Sequence, residues 1–320
     1  MKDTSRMKDN TYIGLDLGGT KLLIGEVSRE GKIIREKRYP SDLSSQQAAV
    51  DLMVSSLADF MASGEGDSRA VAIGVGMPGR VDSKQGTWLQ IDPERTSPIS
   101  LGKMLEERFG LPCFIDNDVK SATLAEQRWG YGRVSDNFVY INVGTGVGAG
   151  IIVNGKMVYG YHWDAGEVGY TSSGLGSSLS DAGQDCHVEA VASGAGMDSR
   201  ARKLRRRHAT RLTFPTQGRI DIEEVFRLDQ GGDELCRVLV EQASQTLKTL
   251  IGNIARTIDP EYIVLGGGVV ADGYLLKKTL PSLKGNSFRF VKDNIVLTRL
   301  NGHETGLLGA AAIAMKGTEN

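Results

Sequence analysis

The sequence predicts an α/β protein built from two similar halves. Each half opens with a buried strand, a glycine-rich turn, a second strand, a tight turn and a third strand, at residues 12–38 and again at 137–160. Short apolar stretches rich in β-branched residues indicate the strands, and the longer segments after each meander predict helices. The repeated order of elements predicts a duplicated architecture.

The glycine-rich turns carry the first functional signal. In the first half Gly18-Gly19-Thr20 separates two strands, and in the second half Gly144-Thr145-Gly146 occupies the same place. Glycine lets the backbone approach a ligand closely and point its N–H groups inward, which suits a polyanion such as a phosphate chain. In Rossmann and P-loop proteins such a turn opens a helix. Here both turns open strands, so the sequence predicts phosphate-holding hairpins.

The other elements follow in order. In the first half, the turn at Glu30-Gly31 precedes a third strand over 32–38; helices are predicted over 46–62, 101–109 and 119–129, and strands over 70–76 and 113–115. In the second half, Asn154-Gly155 between apolar runs is a strong hairpin signal. Beyond it the pattern predicts a strand over 156–159, helices over 188–206 and 234–258, a strand over 262–265 and a last helix over 305–315.

Composition narrows the class of protein. The chain has 320 residues, 40% of them hydrophobic, which suits one large or two medium domains. Its net charge of −1 gives no reason to expect nucleic acid or an anionic membrane as a partner. No apolar run approaches the roughly 20 residues that span a bilayer, and residues 1–10 are polar, which predicts a disordered tail rather than a signal peptide. Three well-separated cysteines are typical of reduced thiols in a cytoplasmic protein.

Several short motifs in a fixed order carry a family resemblance. They are Asp16-x-Gly18-Gly19-Thr20, Met77-Pro78-Gly79-Arg80-Val81-Asp82, Asp116-Asn117-Asp118, Gly144-Thr145-Gly146-x-Gly148, Gly166-Glu167-Val168-Gly169, Val188-Glu189 and Leu265-Gly266-Gly267-Gly268-Val269. Together they make the chain resemble the ROK sugar kinases and repressors, of the actin, hexokinase and Hsp70 superfamily, over roughly residues 11–316.

The resemblance implies a duplicated ribonuclease-H-like fold, the actin-like ATPase fold, with two domains around a cleft. The N-terminal domain is expected over residues 11–118, with the helix over 305–316 packing back on it, and the C-terminal domain over residues 119–304. The family also implies a homodimer.

By resemblance the protein is an ATP-dependent kinase that phosphorylates a free hexose or hexose derivative. Asp118 corresponds to the catalytic base; it follows a short apolar strand and precedes a predicted helix, whose positive end favours the ionised carboxylate. From the local sequence alone, helix capping by Asn117 or Asp118 is the more ordinary interpretation. Both roles can hold if Asn117 caps and Asp118 reacts.

The resemblance assigns ATP and Mg²⁺ to the glycine turns. Asp16 would act on Mg²⁺ through water, because Mg²⁺ keeps much of its hydration shell; a turn-forming Asp is the alternative. The triple glycine would hold adenosine at a helix N-terminus, with a tight strand–helix turn as the alternative. For Lys21 the alternative is a solvated lysine. The residues expected to bind the nucleotide are Asp16, Gly18, Gly19, Thr20, Lys21, Gly144, Thr145, Gly146, Gly266, Gly267 and Gly268.

The acceptor site should fix several hydroxyl groups with neutral and acidic side chains. By resemblance its residues are Gly79, Asn117, Asp118, Glu167 and Glu189, and Tyr170, which replaces the family's His, can still donate a hydrogen bond there. Several carboxylates on an uncharged polyol are typical of a sugar kinase, whereas a phosphorylated acceptor would call for Arg or Lys. For Glu189 alone, interaction with the helix dipole is the plain alternative.

The chain departs from its family at a zinc segment. Many relatives have His where this chain has Tyr170, and cysteines where it has Ser180, Ala182 and His187. A structural zinc site needs four good ligands, so no protein metal site is predicted here. Because the His of zinc-bearing relatives also touches the sugar, glucose is not assumed. A second departure is the sugar loop, where Gln90, Asp92 or Glu94 could replace the usual Asn.

Two other functions are weighed. A ROK repressor would carry a DNA-binding domain ahead of the first strand, which here starts by Tyr12. The basic run over 200–208 is interpreted as a solvated helix end rather than a nucleic-acid patch. A catalytically idle sugar-binding or sensor protein fits the altered zinc segment but not the retained Asp16 and Asp118. The sequence leaves open which sugar is used and whether polyphosphate replaces ATP.

Overall fold

The computed structural model describes residues 10–64, 70–92, 95–175, 186–302 and 304–319. Its strands are β1 (Thr11–Leu17), β2 (Lys21–Ser28), β3 (Ile33–Pro40), β4 (Ala70–Met77), β5 (Arg80–Asp82), β6 (Thr87–Asp92), β7 (Arg95–Ile99), β8 (Cys113–Asn117), β9 (Phe138–Val143), β10 (Val147–Val153), β11 (Lys156–Met157), β12 (Tyr262–Gly266) and β13 (Ile295–Leu297). Its helices are α1 (Gln46–Ala62), α2 (Leu101–Phe109), α3 (Asp118–Trp129), α4 (Val188–Ala192), α5 (Gly194–Leu204), α6 (Ile222–Gln230), α7 (Glu234–Thr257), α8 (Tyr274–Thr279) and α9 (Thr305–Glu319).

The chain divides into two compact units. The first comprises Met1–Arg133, Tyr159–Asp164 and His303–Asn320, and the second comprises Val134–Val158 and Ala165–Gly302. The predicted division after residue 118 differs from this one. Helix α3 belongs with the first unit because it packs against α9 there.

Each unit contains a mixed sheet, and the strand order is the same in both. The first sheet runs β3-β2-β1-β4-β8 and the second β11-β10-β9-β12-β13. In each, an antiparallel meander is followed by strands that pair in parallel, since β1 pairs with β4 and β9 pairs with β12. The duplication predicted from the repeated meander is thereby confirmed.

The core of the first unit lies between its sheet and helices α1 and α2. Leu15 and Ile24 of the meander, Met53 of α1 and Leu105 of α2 are among its buried members. In the second unit, residues of β9 and β12 pack with the long helix α7, whose Leu239, Ala243 and Leu247 are buried. Continuous burial along β1, β2 and β4 explains why these strands are apolar runs rather than alternating ones.

Helix α9 packs on the sheet of the first unit, as the resemblance predicts. It contacts β1 and β4, and among its buried residues Ala310, Ala311 and Ala314 are small and fully buried. A Cβ atom added at Gly74 of β4 would overlap the Ala310 carbonyl oxygen. The approach of helix to strand therefore depends on glycine at 74.

Two predicted elements are shorter than expected. The helix predicted over 188–206 is broken at Ser193, whose extended backbone ends α4 and whose hydroxyl accepts the Gly196 N–H at 2.9 Å to cap α5. A serine followed by Gly-Ala-Gly favours such a break over a continuous helix. Of the strand predicted over 156–159, β11 contains Lys156 and Met157, and the Val158 N–H donates one further hydrogen bond to the Ile151 carbonyl oxygen at 2.9 Å.

A small antiparallel sheet of β5, β6 and β7 was not predicted. Trp88 of β6 is fully buried and its indole N–H donates to the Pro78 carbonyl oxygen at 3.0 Å. Gln46 at the start of α1 donates to the Trp88 carbonyl oxygen at 3.2 Å. These bonds fix the small sheet beside the end of β4.

Several arginines of the basic run at the end of α5 contact other residues of the second unit. Arg200 donates to Gln242, and Arg202 pairs with Asp198 and donates to the Pro215 and Gly218 carbonyl oxygens. Arg205 lies over the ring of Phe214 at 5.3 Å. The run does end a helix, but Arg200 and Arg202 are bound within the unit rather than solvated, whereas Lys203, Arg205 and Arg206 are exposed. Among the described helices, none has the length and apolar character needed to cross a bilayer.

Replacing Gly74 by Ala is expected to lower the melting temperature clearly, because the new Cβ meets backbone of α9 that has no room to move. Overpacking of this kind costs about 1–3 kcal/mol, and occasionally more. The matched control is Gly302→Ala, where an added Cβ meets no described heavy atom within 4 Å. Thermal unfolding of both variants is the measurement. Equal melting temperatures would contradict the close packing of α9 on β4.

Candidate active site

Parallel pairing places polar side chains at one edge of the first sheet. Asp16 of β1 lies opposite Gly76 of β4, which lies opposite Asp116 of β8. The carboxyl ends of parallel strands reach the same edge, where ligands commonly bind in open α/β sheets. There Asn117 ends β8 and Asp118 begins α3. The structure thus brings together Asp16, Asn117 and Asp118.

Asn117 is the N-cap of α3. Its Oδ1 accepts the N–H groups of Val119 at 3.0 Å and Lys120 at 3.2 Å, while its Nδ2 donates to the Gly79 carbonyl oxygen at 3.0 Å. The capping interpretation is therefore correct for Asn117. The same side chain joins Gly79, which has a φ of +87°, to the start of α3.

Asp118 is the first residue of α3, and the residue as a whole is partly exposed. Its Oδ1 accepts the Val119 N–H at 2.9 Å. Burial, together with the nearby charge of Asp16, raises the pKa of Asp118 from 3.8 to about 6. Such a carboxylate is ionised at neutral pH and is a stronger base than an ordinary aspartate.

Asp16 lies against the first turn of α9. A Cβ atom added at Gly306 would overlap the Asp16 carboxylate, so glycine at 306 leaves room for it. The positive end of α9 favours a negative charge there. Burial raises the pKa of Asp16 to about 6, and the charge of Lys21 opposes that shift. Lys21 is therefore close enough to act on this site electrostatically.

The first glycine turn is closed by its own backbone and has an open tip. The Gly18 N–H donates to the Lys21 carbonyl oxygen at 2.9 Å, and the Gly18 carbonyl accepts the Ser41 hydroxyl at 2.6 Å. Gly19 and Thr20 are exposed, and a Cβ at Gly19 would meet no described heavy atom within 4 Å. This geometry leaves the turn accessible to a ligand.

The proposed sugar-loop substitutes are only partly described. The Gln90 side-chain oxygen accepts a hydrogen bond from Arg80 at 3.1 Å. The side chain of Asp92 and the whole of Glu94 lie outside the described residues.

In the second unit, the glycine turn lies at the N-terminus of α5. The Gly144 N–H donates to the Gly146 carbonyl oxygen at 2.9 Å, which closes the turn. The Gly194 N–H donates to the Gly144 carbonyl at 2.8 Å and the Ala195 N–H to the Thr145 carbonyl at 3.2 Å. The break before α5 therefore attaches the helix start to the turn.

A cavity of about 310 Å³ lies beside this turn. It is lined by Gly144, Thr145, Gly194, Arg219, Ile220, Ile222, Gly268 and Val269. The parallel pairing of Asn142 with Gly266 explains why the glycine turn and the triple glycine reach the same edge of the sheet. Three residues predicted to bind nucleotide, Gly144, Thr145 and Gly268, thus share one cavity.

The triple glycine is not followed directly by a helix, so the tight strand–helix turn given as the alternative is not observed; Gly268 instead shares its cavity with Gly194 at the N-terminus of α5. A turn follows Gly266, and α8 begins only at Tyr274. The Val269 N–H donates to the Val143 carbonyl oxygen at 3.0 Å, which ties this segment to the end of β9 instead. Gly267 has a φ of +95°, outside helical geometry.

Glu189 of α4 binds the start of β10. Its Oε2 accepts the Val147 N–H at 2.9 Å, and a Cβ at Gly146 would overlap the same oxygen. The carboxylate therefore helps hold the second glycine turn. Its contact with a sugar stays a prediction.

Glu167 precedes a short 3-10 turn, and Tyr170 is the last residue of that turn. Glu167 is partly exposed, and the Tyr170 side chain is 62% exposed with its ring stacked on His187, the centroids 5.7 Å apart. Two positions of the family's zinc segment are thus occupied by stacked rings, while Ser180 and Ala182 lie outside the described residues. No group of three or more His, Cys, Asp or Glu residues in the described ranges is arranged to hold a metal ion.

Sequence reasoning missed several cavity residues. Gly194 could have been found, because Ser193-Gly194-Ala195-Gly196 is a capped, small-residue helix start beside a predicted phosphate turn. Arg219, Ile220 and Ile222 had no recognisable local signal, since their place depends on how the segment before α6 folds back.

The comparisons with known proteins agree with this arrangement. The model of the ROK family matches residues 12–317. This chain belongs to the ROK family. Among relatives of this ROK protein, a glucokinase of Halalkalibacterium halodurans is 30% identical over 280 residues, covering 86% of this chain and 85% of the relative. An N-acetylmannosamine kinase of Shigella boydii is 30% identical over 313 residues, covering 95% of this chain and 98% of the relative.

A solved structure is similar to the ROK protein over nearly its full length. It is a ROK family glucokinase from Streptomyces griseus in complex with glucose and AMPPNP. It is 26% identical and has a TM-score of 0.74, with 96% of this chain and 100% of that chain covered. Together with the duplicated sheets, this similarity confirms the actin-like fold.

Replacing Asp118 by Asn is expected to stabilise the protein at about pH 8 and much less at about pH 4. The folded state raises the pKa of Asp118 to about 6, so its contribution to stability is present at low pH and is lost as pH rises through about 6. Asn keeps the acceptor for Val119 and removes the charge. Melting temperature against pH is the measurement.

The control for this experiment is Asp42→Asn, an exposed carboxylate whose pKa is lowered by hydrogen bonds to Ser44. This variant should show no stabilisation at high pH. If Asp118→Asn behaved in the same way, the Asp118 carboxylate would not be desolvated.

Proposed function

We propose that this protein transfers the γ-phosphoryl group of Mg·ATP to a hydroxyl group of a free hexose or N-acetylhexosamine, with Asp118 as the base. The observation that carries the proposal is Asp118, a partly exposed residue at the start of α3 whose desolvated carboxylate is acted on by the charge of Asp16. Membership of the ROK family and kinase relatives across nearly the whole chain support the reaction class.

The role of the base follows from its surroundings. Burial and Asp16 raise the pKa of Asp118 towards neutrality, which matches it to the task of taking a hydroxyl proton. The cap formed by Asn117 and the bond to Val119 fix the direction of the carboxylate. A sugar hydroxyl held against Asp118 loses its proton as its oxygen attacks the γ-phosphorus, and ADP leaves.

The acidic edge suits a hydrated divalent cation. The charge of Asp16 raises the pKa of Asp118, and a bound cation would relieve the repulsion between the two carboxylates. We infer that Asp16 holds Mg²⁺ through water. When bound with ATP, Mg²⁺ neutralises phosphate charge.

The cavity of the second unit suits a nucleotide. Its apolar walls include Ile220, Ile222 and Val269, and a Cβ at Gly268 would meet no described heavy atom within 4 Å. Its volume of about 310 Å³ is at the lower end of ligand pockets. Arg219 is the charged residue of the lining, and we infer that it contacts phosphate, with Gly144 and Thr145 presenting backbone and hydroxyl groups.

For the acceptor we infer that Gly79, Asn117, Glu167, Tyr170 and Glu189 orient the sugar. Acidic and neutral side chains favour an uncharged polyol. The relatives are named as kinases of such sugars, a glucokinase and an N-acetylmannosamine kinase. We also infer a homodimer, on the family resemblance. A cytoplasmic location is supported by three free cysteines, of which Cys113 and Cys236 are buried.

The direct test of the proposed function is ADP release from Mg·ATP with a panel of free hexoses and N-acetylhexosamines. We expect turnover with at least one sugar and its loss in Asp118→Ala, because removal of a general base costs about 10²–10⁴-fold. The control variant is Asp42→Ala, an exposed carboxylate outside the site. Thermal stabilisation by a sugar without any turnover would instead support a binding protein.

Replacing Arg219 by Ala is expected to raise the KM for ATP about tenfold and leave the KM for the sugar unchanged, because one charge-assisted phosphate contact is lost. Initial rates at varied ATP measure it. The matched control is Arg206→Ala, an exposed arginine that does not line the cavity. An unchanged KM for ATP in the Arg219 variant would remove this residue from the donor site.

A further inference from the structure

A chain of hydrogen-bonded side chains links α9 to the strand that leads into Asp118. The Lys316 Nζ donates to the Tyr159 hydroxyl oxygen at 3.0 Å, and the Tyr159 O–H donates to Asp116 Oδ2 at 2.8 Å. The other oxygen of Asp116, Oδ1, accepts the Asn117 N–H at 2.8 Å. Asp116 is only 1% exposed, so it does not touch a substrate itself.

This arrangement is costly for a purely structural contact. Burial raises the pKa of Asp116 to about 6, although the hydrogen bonds from Tyr159 and Asn117 oppose the shift. Burial also lowers the pKa of Lys316. Replacing a buried ionic group by a well-packed apolar one is often neutral or stabilising, so stability alone does not account for these residues.

The bonds also hold an unusual segment of chain. Tyr159–Asp164 belongs to the first unit, although the residues on both sides of it belong to the second. Tyr159 bonds to Asp116, and the Trp163 carbonyl oxygen accepts the Lys120 Nζ at 3.3 Å. Trp163 has a φ of +64°, an uncommon conformation for a bulky residue. The two attachment points, Asp116 and Lys120, lie on either side of Asn117-Asp118 in the sequence.

The backbone before Asp118 is therefore held from several directions. The Asn117 N–H is bound by Asp116, and the Asn117 side chain is bound to Gly79 and to the first N–H groups of α3. Without the Tyr159 hydroxyl, the Asp116 carboxylate would lose its donor on Oδ2 and could turn away from Asn117.

We propose that Tyr159 and Lys316 are positioning residues for phosphoryl transfer, which fix Asp116 and through it the Asn117-Asp118 backbone. This inference rests on the proposed function, because it takes Asp118 as the base. A catalytic group displaced by even a small distance loses rate without losing substrate affinity. The effect should therefore be large on kcat and small on the KM for the sugar, which Asn117 also helps to orient.

The test is Tyr159→Phe, which removes only the hydroxyl oxygen. We expect kcat to fall about tenfold or more, and the KM values for sugar and Mg·ATP to change by less than about threefold. The matched control is Tyr161→Phe, which removes the same atom from the same segment at a side chain that is 93% exposed. It should keep the wild-type kcat.

Lys316 provides a second, independent variant. Lys316→Met should lower kcat in the same way, and Lys316→Arg should restore most of it, because Arg can again donate to the Tyr159 oxygen. Melting temperatures establish that each variant is folded at the assay temperature. Equal kcat values for wild type, Tyr159→Phe and Lys316→Met would overturn the inference and leave the proposed function standing. A wild-type protein with no turnover on any sugar would overturn both.

Discussion

Burial of carboxylates at the carboxyl edge of one sheet is the constraint on which the site depends. Asp16, Asp116 and Asp118 each have a pKa raised to about 6, because the folded chain takes them out of water. The charged forms persist only where donors and helix ends meet them: the N–H groups of Asn117 and Val119, the Tyr159 hydroxyl, and the first turn of α9 beside Asp16. Desolvation of these carboxylates lowers the stability of the folded state above about pH 6, and it makes each carboxylate a stronger base than an exposed aspartate.

The duplicated fold uses the same strand position differently in its two units. Asp16 stands two residues before the glycine at 18 and lies opposite Gly76, while Asn142 stands two residues before the glycine at 144 and lies opposite Gly266. The first sheet thus presents a carboxylate at its edge, and the second presents a neutral amide beside a cavity. A neutral side chain beside phosphates avoids repulsion between like charges, whereas a carboxylate suits a hydrated cation.

Local chemistry explains which features the sequence could predict. The bounds of α1 and α2 follow from apolar spacing between clear breakers, and Asn117 as a cap follows from its place between a strand and a helix. The break at Ser193 has a local signal in Ser193-Gly194-Ala195-Gly196, whereas the turn after Gly266 and the cavity position of Arg219 depend on partners distant in the chain, such as Val143. Tyr159 is the clearest case: in the sequence it continues a strand, but in the structure its hydroxyl binds Asp116. At Tyr159 the hydrogen bond to Asp116, a residue distant in the sequence, decides the position that the local strand pattern did not predict.

The most direct test of the account is the pH dependence of kcat/KM, measured with sugar and Mg·ATP both limiting so that the free protein is observed. If a desolvated Asp118 is the base, kcat/KM should fall about tenfold per pH unit below an apparent pKa near 6. Above that pH the profile should reach a plateau, since the carboxylate is ionised. A profile that stays flat down to about pH 4 would contradict the account, because the base would then have the pKa of an ordinary exposed aspartate.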